Sequence, residues 1–200
     1  MNSSVIPVAI IDPDAPAGSL EQKQPDVDNG VEVHGKEGYF SKDYAELEWE
    51  NLWSKTWLIA GVQADLPNIG DYFLFKIRHE SFIISHTQEG IRAFYNVCPH
   101  RGARLLTEEH GNRKVFVCPF HSWSFSNNGD LRSITDENTF QPEVVCHRPG
   151  LKQARVEVLA GLIFINMDEH APPLKDEIGL PEGYLENYRI DQMKVVRHVR

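Results

Sequence analysis

Cysteine is scarce, with three residues in 200. That excludes a disulfide-stapled scaffold and points to a reducing, cytoplasmic compartment. Long apolar runs are missing too. Stretches such as Leu162–Ile165 fall far short of the about 20 residues needed to cross a bilayer, so no membrane span is expected. Positive charge is in deficit: 20 Lys and Arg stand against 29 Asp and Glu, a net charge of -9 with the acids scattered. This argues against nucleic acid or an anionic membrane as a partner. The apolar start Val5–Ile11 lacks a preceding Lys or Arg and runs into Asp12-Pro13-Asp14, so it reads as an extended arm rather than a secretory signal. Internal repeats and low-complexity segments are also lacking.

What is present suits one domain of ordinary size with appendages. Residues 1–38 mix Pro, Asp, Gly and Gln without periodicity and predict a flexible N-terminal arm. Residues 39–56 form a helical segment packing beside the main domain. Ser41 offers an N-cap, and Tyr44, Leu47, Asn51 and Leu52 recur near helical spacing from Lys42 to about Ser54. From Trp57 the texture becomes short apolar or alternating runs broken by turn residues, which predicts a mainly β domain of small antiparallel sheets over 57–168. Candidate strands are Trp57–Val62, Tyr72–Ile77, Ser81–Ser85, Ile91–Asn96, Lys114–Cys118, Trp123–Phe125, Gln153–Leu159 and Leu162–Asn166, with Asn127–Asp130 as a hairpin turn. Residues 169–200 read as a linker through Ala171-Pro172-Pro173, a short helix near Leu180–Tyr188, a strand-like Met193–Val199, and the start of a further domain.

Chemistry concentrates in two segments, Cys98-Pro99-His100-Arg101-Gly102 and Cys118-Pro119-Phe120-His121-Ser122-Trp123. Two thiolates and two imidazoles suit zinc or an iron–sulfur cluster. A finger-type zinc site would take two like ligands from each segment; here each loop supplies one of each. A two-iron cluster that gives both thiolates to one iron and both imidazoles to the other fits this split. Residues 101–117 leave room for a strand out, a turn near His110–Arg113 and a strand back, which would bring the two loops face to face. Proline after each cysteine fixes φ and removes a donor, helping to hold each loop in one shape. A structural zinc site stays open as the alternative.

These segments resemble the C-x-H…C-x-x-H signature of Rieske proteins. More narrowly, they are similar to the N-terminal domain of Rieske non-haem iron oxygenases, the α subunits of aromatic-ring-hydroxylating dioxygenases. The likeness extends over residues about 39 to 190, through Thr56-Trp57-Leu58, Gly70-Asp71-Tyr72, Ile91–Cys98 and Gly161-Leu162-Ile163-Phe164. Respiratory-chain Rieske proteins differ, because they join the two loops by an extra disulfide and this chain has Ala103 and Phe120 nearby. The resemblance implies a Rieske-type antiparallel β-sandwich holding a [2Fe–2S] cluster through Cys98, His100, Cys118 and His121, with Arg101 and Trp123 beside it. It implies a low-potential centre whose midpoint depends on pH.

In that family oxygen chemistry occurs at a separate mononuclear Fe(II) with two histidines and a carboxylate. No such motif is found in this sequence, so that iron is expected only in a catalytic domain absent here, and no residue is assigned a catalytic role. His34, His79, His86, His110, His147, His170 and His198 read as surface or turn residues, Asp168-Glu169-His170 as a solvated turn, and Cys146 as a lone buried or half-buried thiol. The implied partners are a ferredoxin or flavin reductase as electron donor and neighbouring α subunits in a trimer, with a β subunit as a further partner. His100 or His121 would face such a partner. The other functional reading is a stand-alone Rieske ferredoxin. The helix at Ser41–Ser54 and the segment after Asp168 speak against it.

Overall fold

The computed structural model describes residues 35–193 apart from 136, with the backbone alone at 37, 144 and 146. Two antiparallel sheets form the architecture. The larger has seven strands in the order β1 (Leu58–Val62), β10 (Leu162–Asn166), β9 (Gln153–Leu159), β4 (Gly90–Tyr95), β3 (Glu80–Thr87), β2 (Asp71–Ile77) and β5 (His110–Asn112). The smaller has three: β6 (Val115–Val117), β7 (Ser124–Ser126) and β8 (Leu131–Ser133).

Strand β3 explains how the core is divided. Its run Phe82-Ile83-Ile84 is unbroken because both faces are covered. Phe82 and Ile84 pack with Leu66, Ala93, Ile163 and Ile165. Ile83 points the other way, into a cluster with Tyr72, Phe94, Phe116, Trp123 and Phe125 that also contains Cys98 and Cys118. Each such aliphatic side chain contributes roughly 1.5–3 kcal/mol of burial. The second cluster is therefore the floor on which the cysteine-bearing loops stand. The turn at Asn127–Asp130 joins β7 to β8 as expected. Ser126 donates to the Asp130 carbonyl at 2.9 Å, and Gly129 takes φ 92°, with no room for a Cβ against the Phe94 ring.

Several elements differ from the sequence expectation. His110–Asn112 is not a turn but a short strand, with Tyr72 opposite Gly111 and Phe73 opposite His110. Its polar sequence hides a role as an edge strand, where one side needs no apolar residue. Leu131–Ser133 is a further strand, paired with β7. The helix begins as expected, Ser41 Oγ accepting from Tyr44 N–H at 3.3 Å, but it is α-helical only over Lys42–Glu48. It then widens into a π-turn at Trp49–Trp53 closed by Ser54 N–H to the Trp49 carbonyl. There Trp49 lies against His79 at 5.1 Å between ring centroids, and Glu46 pairs with Arg78, so the segment is tied to the β2–β3 turn.

A short helix at Pro142–Cys146 was not foreseen, and Leu180–Tyr188 forms turns with a 3₁₀ stretch only at Glu186–Tyr188. Pro181 lacks a helical donor, and Arg189 enters the left-handed region at φ 52°. The arm over residues 1–34, the strand-like 194–199, and His34 and His198 lie outside the described residues, as does the environment of the Cys146 thiol. Among the described residues no helix is long and apolar enough to cross a membrane.

Candidate functional site

Two six-residue loops with one backbone plan carry the chemistry. In the first, after β4, Cys98 N–H donates to the Ala103 carbonyl at 2.7 Å and Gly102 N–H to the Cys98 carbonyl at 3.0 Å. In the second, between β6 and β7, Cys118 N–H donates to the Trp123 carbonyl at 2.8 Å and Ser122 N–H to the Cys118 carbonyl at 2.9 Å. The fifth residue of each is left-handed, Gly102 at φ 72° and Ser122 at φ 58°. Proline occupies the second position of both, where no N–H is required.

This plan buries the two cysteines side by side, at 1% and 2% exposure, as free thiols. Burial pushes the Cys98 thiol up to about 11, and contact with the Cys118 thiol adds to the effect. Backbone N–H groups of His100 and Arg101 aimed at the Cys98 sulfur pull in the opposite direction. A thiolate here therefore needs a positive partner, which a bound metal provides.

The histidines meet in front of the thiols. The His100 and His121 rings are 4.7 Å apart and edge-to-face. His100 also lies flat on Trp123, 4.6 Å between centroids and 5° from parallel, while Phe120 covers His121 at 3.9 Å. Burial first, then the charges of His121, Arg101 and Arg148, holds the His100 imidazole below its usual value, which favours the neutral, ligating form. Nδ1 of both rings is buried without a hydrogen-bond partner. Leaving such a group unsatisfied costs about 1–3 kcal/mol. Two orphaned ring nitrogens and two buried free thiols, one of each from each loop, are a donor set whose chemistry fits a soft metal centre. Among the described residues no three or more His, Cys, Asp or Glu side chains are placed to hold one metal ion. The donors fall instead into a sulfur pair and a nitrogen pair, the division a two-iron cluster requires and a tetrahedral zinc ion does not.

Arg101 bears on the site through its backbone N–H, its side chain being exposed. Trp123, 1% exposed, is both core aromatic and His100 support. The other described histidines stand apart from the four donors: His79 contacts Trp49, His86 Nδ1 meets the Leu66 carbonyl, His147 Nδ1 meets the Glu143 carbonyl, His110 is an exposed strand residue and His170 is in a turn. That turn, expected from its place before Pro172-Pro173, is held by Asp168 Oδ1 accepting from His170 N–H at 2.8 Å.

Asn96 was overlooked. Wholly buried, it accepts from Leu105 and Leu106 N–H at 3.2 and 2.9 Å and donates to the Leu106 carbonyl and Ser81 Oγ at 2.7 and 3.3 Å. It thereby cinches both ends of the first loop. An asparagine ending an apolar strand, two residues before a ligand cysteine, was the available signal. Arg148, whose guanidinium lies 5.1 Å from the Trp123 ring centroid, had none.

The Rieske [2Fe–2S] domain family matches residues 56–153. The chain is 40% identical over 157 residues to the large oxygenase component of the naphthalene 1,2-dioxygenase system of Pseudomonas aeruginosa, which covers 77% of this chain and 34% of that protein. It is 35% identical over 153 residues to the carnitine monooxygenase oxygenase subunit of Escherichia coli (strain K12), covering 74% of the chain and 40% of that protein. Among solved structures, naphthalene 1,2-dioxygenase with indole bound superposes with a TM-score of 0.61 at 40% identity, over 66% of this chain and 30% of that one. The apo form of a quaternary ammonium Rieske monooxygenase gives 0.67 at 32%, over 78% and 44%. The chain thus spans between about a third and two fifths of the length of these curated relatives, all of them oxygenase components rather than small carriers. Residues 56–153 are a Rieske [2Fe–2S] domain, and the chain is similar to the N-terminal portion of Rieske non-haem iron oxygenase α subunits.

Proposed function

We propose that Cys98 and Cys118 ligate one iron of the cluster and His100 and His121, through Nδ1, the other, and that the chain is the electron-transfer portion of a ring-hydroxylating oxygenase. The observation that carries this reading is the pair of buried, partnerless Nδ1 atoms on the same two loops that bury Cys98 and Cys118 against each other. When bound, the cluster supplies a site for one reversible electron. The protein's part is to keep that site rigid and to favour the neutral form of the His100 imidazole. The paired loop hydrogen bonds and the Asn96 network provide rigidity; Trp123 and Phe116 exclude water from the core beneath the loops.

Electrons enter from a ferredoxin or flavin reductase and leave for a mononuclear non-haem iron that activates O₂, held by a neighbouring α subunit of a trimer. Support comes from the surface around the imidazoles. A cleft of about 260 Å³ is lined by His100, His121, Ser122, Thr135 and Phe140, flanked by Phe120 at 59% exposure. With each Nδ1 turned inward, the outer edge of each ring faces this cleft, where a partner's carboxylate or carbonyl finds a donor. Relatives include an oxygenase of naphthalene and one of carnitine, so both aromatic and quaternary-amine chemistries occur on this plan.

The test is an electron paramagnetic resonance spectrum of the dithionite-reduced protein, with iron and zinc quantified on the same sample. A rhombic signal averaging near g of about 1.9 with two irons per chain is expected for a His₂Cys₂ cluster. Stoichiometric zinc without that signal after reconstitution would refute the ligand assignment.

A further inference from the structure

Arg148 lies outside both ligand loops, yet it is layered onto the site. Its guanidinium stands 5.1 Å from the centroid of Trp123, whose ring is stacked nearly parallel on His100. Phe140 closes the side of the stack, edge-on to Trp123 at 6.4 Å and 6.0 Å from the same guanidinium. The order is cation, indole, imidazole, with the indole 1% exposed, so no water separates the layers.

The chain places Arg148 there by backbone means. Arg148 N–H donates to the Val145 carbonyl at the end of the short helix α3 (Pro142–Cys146). Two residues on, Gly150 passes so near the β7–β8 turn that a Cβ would sit 2.4 Å from the Gly129 carbonyl oxygen, and Leu151 N–H then bonds that oxygen at 2.8 Å. The residues on either side are therefore pinned, and the arginine between them has a fixed seat over the indole. Among the described residues Arg148 enters no ion pair, whereas Arg78, Arg92, Arg113 and Arg155 each meet a carboxylate. Among the described residues no carboxylate cancels its charge.

We propose that Arg148 is a positioning and charge-tuning residue, which raises the reduction potential of the centre through the Trp123–His100 stack. The inference rests on His100 being a ligand, as proposed above. The step affected is a one-electron reduction in which no bond forms or breaks, dithionite supplying the electron in a titration. The added negative charge is stabilised by a permanent cation held across a dry aromatic layer, where screening is weaker than in water. Arginine suits the seat because its planar, weakly hydrated guanidinium lies flat on indole, so that one residue supplies both packing and charge.

The experiment is a potentiometric titration at pH 7 of the cluster-bearing protein and of Arg148→Met and Arg148→Lys, with iron content and the electron paramagnetic resonance spectrum recorded on each. Arg148→Met should keep two irons per chain and the rhombic signal but lower the midpoint. The equilibrium for reduction should fall between about threefold and tenfold, tenfold being about 59 mV for one electron. Arg148→Lys, which keeps the charge, should recover most of that shift. An Arg148→Met midpoint equal to that of the unaltered protein, or an Arg148→Lys midpoint as low as that of Arg148→Met, overturns the proposal. If Arg148→Met loses iron, Arg148→Gln decides by the same criterion. Absence of the rhombic signal from the unaltered protein would instead overturn the ligand assignment, and this inference with it.

Discussion

The two ligand loops share a backbone plan but not a means of support. Each opens on a cysteine, follows it with proline, turns left-handed at its fifth residue and closes with the same pair of hydrogen bonds. The histidine is third in one loop and fourth in the other, so a near-duplicate backbone delivers its imidazoles from different positions to rings 4.7 Å apart. The first loop is cinched by Asn96, just past the end of β4, while the second rides on the short β6–β7 hairpin and is held by Trp123 packing into the core. The first also has glycine at the left-handed position, where the second has Ser122. Equal geometry is thus reached by polar stapling on one side and aromatic packing on the other.

The strongest break in this comparison should be symmetric. Cys98→Ser and Cys118→Ser should each abolish two-iron binding, as read by iron per chain and the rhombic signal, because the proposed assignment gives both thiolates to one iron. Full iron content in either variant would contradict the shared assignment.

Asymmetry should appear at Asn96. Asn96→Leu strands the buried N–H groups of Leu105 and Leu106 and should cost about 2–4 kcal/mol in urea denaturation. A loss under about 0.5 kcal/mol, the range of ordinary surface substitutions, would remove Asn96 from the loop's support.

The left-handed positions should respond in opposite directions. Gly102→Ala should destabilise by about 1–2 kcal/mol, the cost of a Cβ in that region. Ser122→Gly should stabilise by about 1 kcal/mol or less, since relief of strain is offset by the freer unfolded chain. Equal signs in thermal denaturation would show that the loops are not equivalent at this position.

The smallest effect is on pH. In chelator-stripped protein the His100 pKa is lowered on folding, so the unfolded chain binds more protons; stability is full above the unfolded value of about 6.5 and declines as pH falls through it. The Cys98 thiol, raised to about 11, makes stability decline as pH rises above the ordinary thiol range. Urea midpoints against pH should therefore form a dome, and His100→Gln should flatten its acid side alone.

Strands buried on both faces or clearly alternating, such as Gln153–Leu159 and Leu162–Asn166, were legible to the residue, because burial writes itself into apolar spacing. Strand β5 was not, since His110-Gly111-Asn112 owes its conformation to β2 alongside it. The helix start was legible in the Ser41 cap, whereas the π-turn depends on contacts of Trp49 with the β2–β3 turn. The pairing of the four candidate donors on two loops was legible because metal donors are few in kind and their order along the chain separates one chemistry from another. Asn96 and Arg148 were not, because an amide or guanidinium acquires its role only from what surrounds it.

By itself the sequence determined the order of the candidate donors, the prolines that follow both cysteines, and the mainly β character of the domain, all of which are local properties of a few neighbouring residues. The tertiary structure alone decided that both Nδ1 atoms lie buried, that Asn96 braces one of the loops, and that Arg148 caps the indole stacked on His100. Those relations join residues far apart in the chain, and only packing of the two sheets around a common core brings them within reach.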